Sequence, residues 1–110
     1  MKQLTALELK RILDEKPEGV QLVDVREPDE VAFAALPGFQ NFPMSIYYGN
    51  EEAFKEALDP HQPTVVLCHH GVRSLHMGSF LNQHGFIDLY NVQGGIDAYT
   101  LEVDASIPRY

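Results

Sequence analysis

The stretch Thr64-Val-Val-Leu-Cys-His-His-Gly-Val-Arg-Ser74 constrains the fold of this chain more than any other. Thr64 to Leu67 is a short, β-branched, apolar run after Pro63, the pattern of a buried strand. Cys68 closes the run, and Gly71 lets the backbone turn where a side chain would block it. Apolar residues then return at helical spacing (Leu75, Met77, Phe80 and Leu81), and Gly85 is placed to stop a helix running from Ser74 to His84. A buried strand that feeds a helix through a tight loop belongs to a sheet whose strands run parallel and whose faces are covered by helices.

The rest of the chain repeats the alternation. Thr5-Ala-Leu-Glu8 is a capping-box pattern, and Leu7, Leu9, Ile12 and Leu13 give a helical stripe, so the spacing predicts a helix from Ala6 to Glu15, ending before Pro17. The residues before it suit a short strand. Val20 to Val25 reads as a second strand with Leu22, Val23 and Val25 buried. Pro28 to Phe33 follows as a short helix, Leu36-Pro-Gly38 as a turn and Gln40 to Phe42 as a small strand. Pro43 to Asn50 has no period and is expected to be a loop, its Met and Tyr residues either lining a site or packing in the core. Glu51 to Leu58 is an amphipathic helix, Phe86 and Leu89 to Val92 a last strand, and Gly94-Gly95 opens a final helix. Asp104 to Tyr110, with Pro108, reads as an extended tail. The fold class expected is α/β: one domain over residues 1–110, with a mainly parallel central sheet between two helical layers.

Composition narrows the function. A chain of 110 residues makes one core. Its longest uncharged apolar run, Val31 to Leu36, is too short to span a membrane, and the first residues meet Glu8 before a signal-like core develops. One cysteine forms no internal disulfide, so a reducing, cytoplasmic setting is expected. A net charge of −8 argues against nucleic acid as a partner, and it supplies no long-range field that draws anions in. An anionic substrate must therefore rely on the local loop or be delivered by another protein.

That loop carries the chemistry. Cys68 sits at a strand end, where the N–H groups of the loop and the positive end of the following helix favour negative charge, such as that of a thiolate. His69, His70, Gly71, Val72, Arg73 and Ser74 can form an anion nest around it, with Ser74 capping the helix. Arg73 is the only Lys or Arg between Lys55 and Arg109, an isolated cation beside the sulfur. Asp24 and Arg26 crowd the end of the second strand. They either share the carboxyl-end crevice with Cys68 or pair locally to fix the loop before Pro28, and the pairing is the preferred reading. A metal site from Cys68, His69, His70 and His76 is not expected, because adjacent ligands in a tight loop rarely share one ion. The two histidines are read as rim residues, and His61, His76 and His84 as surface or helix-face residues.

Cys68-His-His-Gly-Val-Arg-Ser74 resembles the active-site loop of the rhodanese-like sulfurtransferase family, Cys-x-x-Gly-x-Arg-[Ser/Thr]. Leu22-Val-Asp-Val-Arg-Glu-Pro-Asp-Glu30, with Leu36-Pro-Gly and Asn41-Phe-Pro43, is similar to the family's upstream signature, and Asn91-Val-Gln-Gly-Gly-Ile-Asp-Ala-Tyr99 to its closing segment, with Tyr99 where Trp is usual. Ala34-Ala35-Leu36 departs from the usual Gly-His-Ile. The resemblance implies a five-stranded rhodanese fold, no cofactor, and a Cys68 persulfide that carries sulfur from thiosulfate, or from a persulfide of a relay protein or small thiol, to cyanide or a thiol. It also allows a different role, a binding or regulatory module without turnover. Phosphate- and arsenate-handling relatives have Cys-x5-Arg. Four residues separate Cys68 from Arg73 here, a smaller ring that suits one sulfur atom better than a tetrahedral oxyanion.

Overall fold

The computed structural model describes all 110 residues. Five strands and six helices follow one another as β1 (Lys2–Leu4), α1 (Ala6–Glu15), β2 (Gln21–Asp24), α2 (Pro28–Phe33), β3 (Gln40–Asn41), α3 (Met44–Tyr47), α4 (Glu51–Ala57), β4 (Thr64–Leu67), α5 (Val72–Gln83), β5 (Leu89–Val92) and α6 (Gly95–Glu102). The sheet order is β1-β5-β4-β2-β3, and every pair is parallel. β4 is central and buried along its whole length. The chain steps from β2 outward to β3 and from β4 outward to β5, so the winding reverses between β2 and β4. Ligand crevices open at such a reversal, beyond the carboxyl ends of the strands.

The period of two along β4 sorts its side chains onto two cores. Val65 and Leu67 pack with Leu4, Ala6, Leu9, Leu36, Val92, Ile96 and Tyr99 beneath α1 and α6. Val66 and Cys68 pack with Val23, Val25, Phe42, Phe54, Met77, Leu81 and Phe86 beneath α4 and α5. Each fully buried Leu, Phe or Met contributes about 1.5–3 kcal/mol, which is what holds short strands in register. Thr5 and Glu8 form the expected capping box, Glu8 N–H to Thr5 Oγ1 at 3.1 Å and Thr5 N–H to Glu8 Oε1 at 2.9 Å. The boundaries of α1, α2 and β4 are those the sequence predicts.

Three segments differ from expectation. Pro43 to Asn50 contains a single helical turn, α3, with Met44 and Tyr47 against the second core and the Tyr47 ring 5.0 Å from that of Phe42. One turn is too short to show a period. α5 begins at Val72 rather than Ser74, so Arg73 and Ser74 lie in its first turn. The stretch from Asp104 to Tyr110 is no free tail. Ile107 is buried in the first core, Arg109 pairs with Asp97 at 2.9 Å, and Tyr110 returns to the carboxyl end of the sheet. No helix is long and apolar enough to cross a membrane.

Candidate active site

Cys68 occupies the position that the βα loop dictates, one residue past β4 and level with the carboxyl ends of β2 and β5. Its side chain is 1% exposed. Two groups converge on Sγ: the Gly71 N–H donates to it at 3.0 Å, and the Ser74 Oγ, 3.2 Å away, accepts from the thiol. Gly71 has φ +97° and is the residue before α5, so the loop can double back and aim its amide at the sulfur. Ser74 was expected to cap α5. Because the helix starts earlier, Ser74 is instead inside the first turn and points at the sulfur, and Gly71 takes the cap position.

A further residue stands behind Ser74. Its hydroxyl donates to Asn91 Oδ1 on β5, and Asn91 Nδ2 donates to the Gly71 carbonyl at 3.3 Å and to Gln3 Oε1 at 3.1 Å. Asn91 thus ties the hydroxyl beside Cys68 to the turn that presents the Gly71 amide. Sequence reasoning passed over Asn91 as a site residue, although a polar side chain within an apolar strand is the signal that could have found it.

The second half of the loop is fastened to α6. Ile96 N–H donates to the Cys68 carbonyl at 2.9 Å and Asp97 N–H to the His69 carbonyl at 3.2 Å. A Cβ on Gly95 would run into those same two carbonyl oxygens, which explains why a glycine opens this helix. The carbonyls are turned away toward α6, leaving the amide side of the loop to the sulfur.

Arg73 is not the isolated cation expected from its sequence neighbourhood. It pairs with both oxygens of Glu30 on α2, at 2.7 and 2.8 Å. Hydrogen bonding from Arg73 holds the Glu30 carboxyl down at about 2; burial opposes this, and the Glu27 backbone amide and the Tyr110 hydroxyl add smaller pulls. The same hydrogen bonds raise Arg73. Asp24 and Arg26 lie beside this pair but are sealed from the crevice, Arg26 Nη2 to Asp24 Oδ2 at 2.7 Å, with further bonds from Arg26 to the Ala34 carbonyl and the Tyr110 hydroxyl. Their arrangement is the local ion pair, not a second catalytic couple.

His69 and His70 diverge. The His69 ring is stacked between Tyr110 and His70, 3.8 Å from each, and burial followed by the neighbouring His70 holds it below the ordinary imidazole range. His70 is exposed, with Nε2 3.9 Å from Asp97 Oδ2. Tyr110 therefore roofs the loop, a contact the reading of an extended tail missed. A surface groove lined by residues that include Ile12, Leu13, Val20 and Leu22 lies away from Cys68. An apolar groove without a reactive group offers less chemistry than the loop.

Residues 5–102 match the family described as the rhodanese-like domain. The chain belongs to that family. It is 46% identical over 93 residues to the chloroplastic rhodanese-like/PpiC domain-containing protein 12 of Arabidopsis thaliana, a match over 84% of this chain that spans only 31% of that relative's length. It is 32% identical over 97 residues to the thiosulfate sulfurtransferase GlpE of Pseudomonas fluorescens, covering 84% of this chain and 85% of that one. Among solved structures, a rhodanese-like domain protein from Staphylococcus aureus superposes with a TM-score of 0.77 at 33% identity over 100% of this chain and 99% of the other. The rhodanese-like fold and a relationship to sulfurtransferases are thereby established for this domain.

Proposed function

We propose that this rhodanese-like domain is a sulfurtransferase that carries a sulfane sulfur on Cys68. The observation that supports it is the environment of Sγ, which is withdrawn from water and met by the Gly71 amide and the Ser74 hydroxyl while the neighbouring carbonyls are held by α6. In the first half-reaction the Cys68 thiolate attacks the outer sulfur of thiosulfate. The sulfur–sulfur bond breaks, sulfite leaves with its electron pair, and Cys68 becomes a persulfide. The terminal sulfur then carries the negative charge that the loop donors are placed to stabilise. In the second half-reaction a thiol or cyanide attacks that outer sulfur, and the Cys68 thiolate is released. No step calls for a metal or an organic cofactor, and the resting thiol suits a reducing cytoplasm.

One observation favours a second donor. Arg73 is already bound by Glu30, so thiosulfate, a dianion, must compete with a bidentate carboxylate for it. A persulfide of a small thiol or of a relay protein carries less charge at the reacting end and needs less from Arg73. Steady-state kinetics with thiosulfate and with glutathione persulfide test both statements. Parallel double-reciprocal lines, lost in Cys68→Ser, are expected, with the lower KM for the persulfide. Intersecting lines would contradict the covalent carrier, and a micromolar thiosulfate KM would contradict the preference.

A further inference from the structure

We propose that His69, His70 and Asp97 form a binding site at the rim of the sulfur loop for a divalent first-row transition-metal ion, zinc above all. One ligand atom from each of the three lies within 4.8 Å of the others. Two imidazoles and a carboxylate are a donor set that zinc takes readily, leaving a fourth position open for water; nickel and copper ions suit the same donors. The sequence alone offers only the two adjacent histidines, a poor chelate. The third ligand comes from α6.

Two features support more than proximity. First, His69 Nε2 is buried and has no hydrogen-bond partner in the folded chain. Buried polar atoms are normally satisfied, and this unpartnered nitrogen belongs to one of the three residues whose ligand atoms converge. Second, the two ligand-bearing segments are bolted together, because Asp97 N–H donates to the His69 carbonyl itself and Ile96 N–H to that of Cys68. The ligands therefore come from a rigid frame, which lowers the ordering cost of binding.

The side chains must still adjust. Donors bonded at about 2.0–2.1 Å in a tetrahedron stand about 3.3 Å apart, so the cluster must contract. His70, whose side chain is 60% exposed, must leave its stack on His69 to swing inward. Asp97 must share or give up Arg109, which holds it at 2.9 and 3.4 Å from a side chain that is 57% exposed. The guanidinium side of this pair is open to water, so it can yield to a divalent cation. Cys68 takes no part, and the site stands whether or not the domain transfers sulfur.

Calorimetric titration of the full chain with zinc chloride near neutral pH tests the proposal. The titration is done in a Cys68→Ser background, so that the thiol cannot supply a rival site. One ion per chain is expected, with affinity at least about tenfold weaker in His70→Ala and in Asp97→Asn. Arg109→Ala, which frees Asp97, is expected to tighten binding by about threefold, the opposite sign to the ligand variants. No binding at millimolar zinc, binding that needs Cys68, or an affinity indifferent to His70→Ala overturns the site. His70 is exposed, so that variant decides the matter even if Asp97→Asn folds poorly.

Discussion

Two arginine–carboxylate pairs lie side by side at the carboxyl end of the sheet, built from the same chemical groups and set in opposite surroundings. Arg26 and Asp24 are 0% and 2% exposed, and each remaining guanidinium direction ends on a carbonyl or on the Tyr110 hydroxyl. Arg73 and Glu30 are equally close but 33% and 18% exposed, in the first turns of two helices that face the loop. The Tyr110 hydroxyl joins them, accepting from Arg26 at 2.9 Å and donating to Glu30 at 3.0 Å. Burial decides their roles. A sealed pair has already given up its hydration and cannot exchange partners without exposing a bare charge, so it serves the fold. A half-open pair can trade a carboxylate for an incoming anion at modest cost, so it can serve chemistry.

The contrast is sharpest where one partner is removed. Arg26→Ala leaves Asp24 buried without a counter-charge and is expected to lower the unfolding free energy by about 3–5 kcal/mol in urea titrations, much of the total for a domain of this size. Arg73→Ala is expected to lower kcat/KM for sulfur loading from thiosulfate by about 10- to 100-fold, while the unfolding free energy falls by about 1–3 kcal/mol, less than for Arg26→Ala. If Arg73→Ala proved the more destabilising of the two, the division between fold and site would fail.

The pairs also differ under acid. Glu30 titrates at about 2 in the folded chain against 4.5 for an ordinary Glu, so its folded-state value is depressed. The stability it supplies is present above the ordinary value and fades as pH falls from about 5 to about 2. The stability difference between the natural chain and Glu30→Gln should shrink over that window. A difference that stayed constant would mean that Arg73 does not hold Glu30. The smallest effect concerns the link. Tyr110→Phe keeps the ring on His69 but removes the hydroxyl, and a loss of about 1 kcal/mol is expected from thermal unfolding. No loss at all would show that the two pairs act independently.

Local pattern carried much of the fold into the sequence. Thr5 and Glu8 announce α1, Pro17 stops it, and the β-branched run before Cys68 marks the central strand, because each signal acts over a few residues. The partners across the fold were not legible. Glu30 is 43 positions from Arg73, and nothing near Arg73 says which carboxylate will reach it. Asn91 sits in a strand whose apolar pattern hides one polar side chain. Ile107 and Tyr110 stand alone among turn-forming residues, so no period reports that they fold back. The Cys68 loop was legible as a loop because strand, glycine and helix adjoin it in sequence. The side chains behind it come from α2, β5 and the C-terminal segment.

The most direct test of the account is the intact mass of the reduced protein after mixing with thiosulfate and then with cyanide. Thiosulfate is expected to add one sulfur atom, cyanide to remove it, and Cys68→Ser to show no gain. A folded protein with a free Cys68 thiol that gains no sulfur from thiosulfate or from glutathione persulfide would contradict the account.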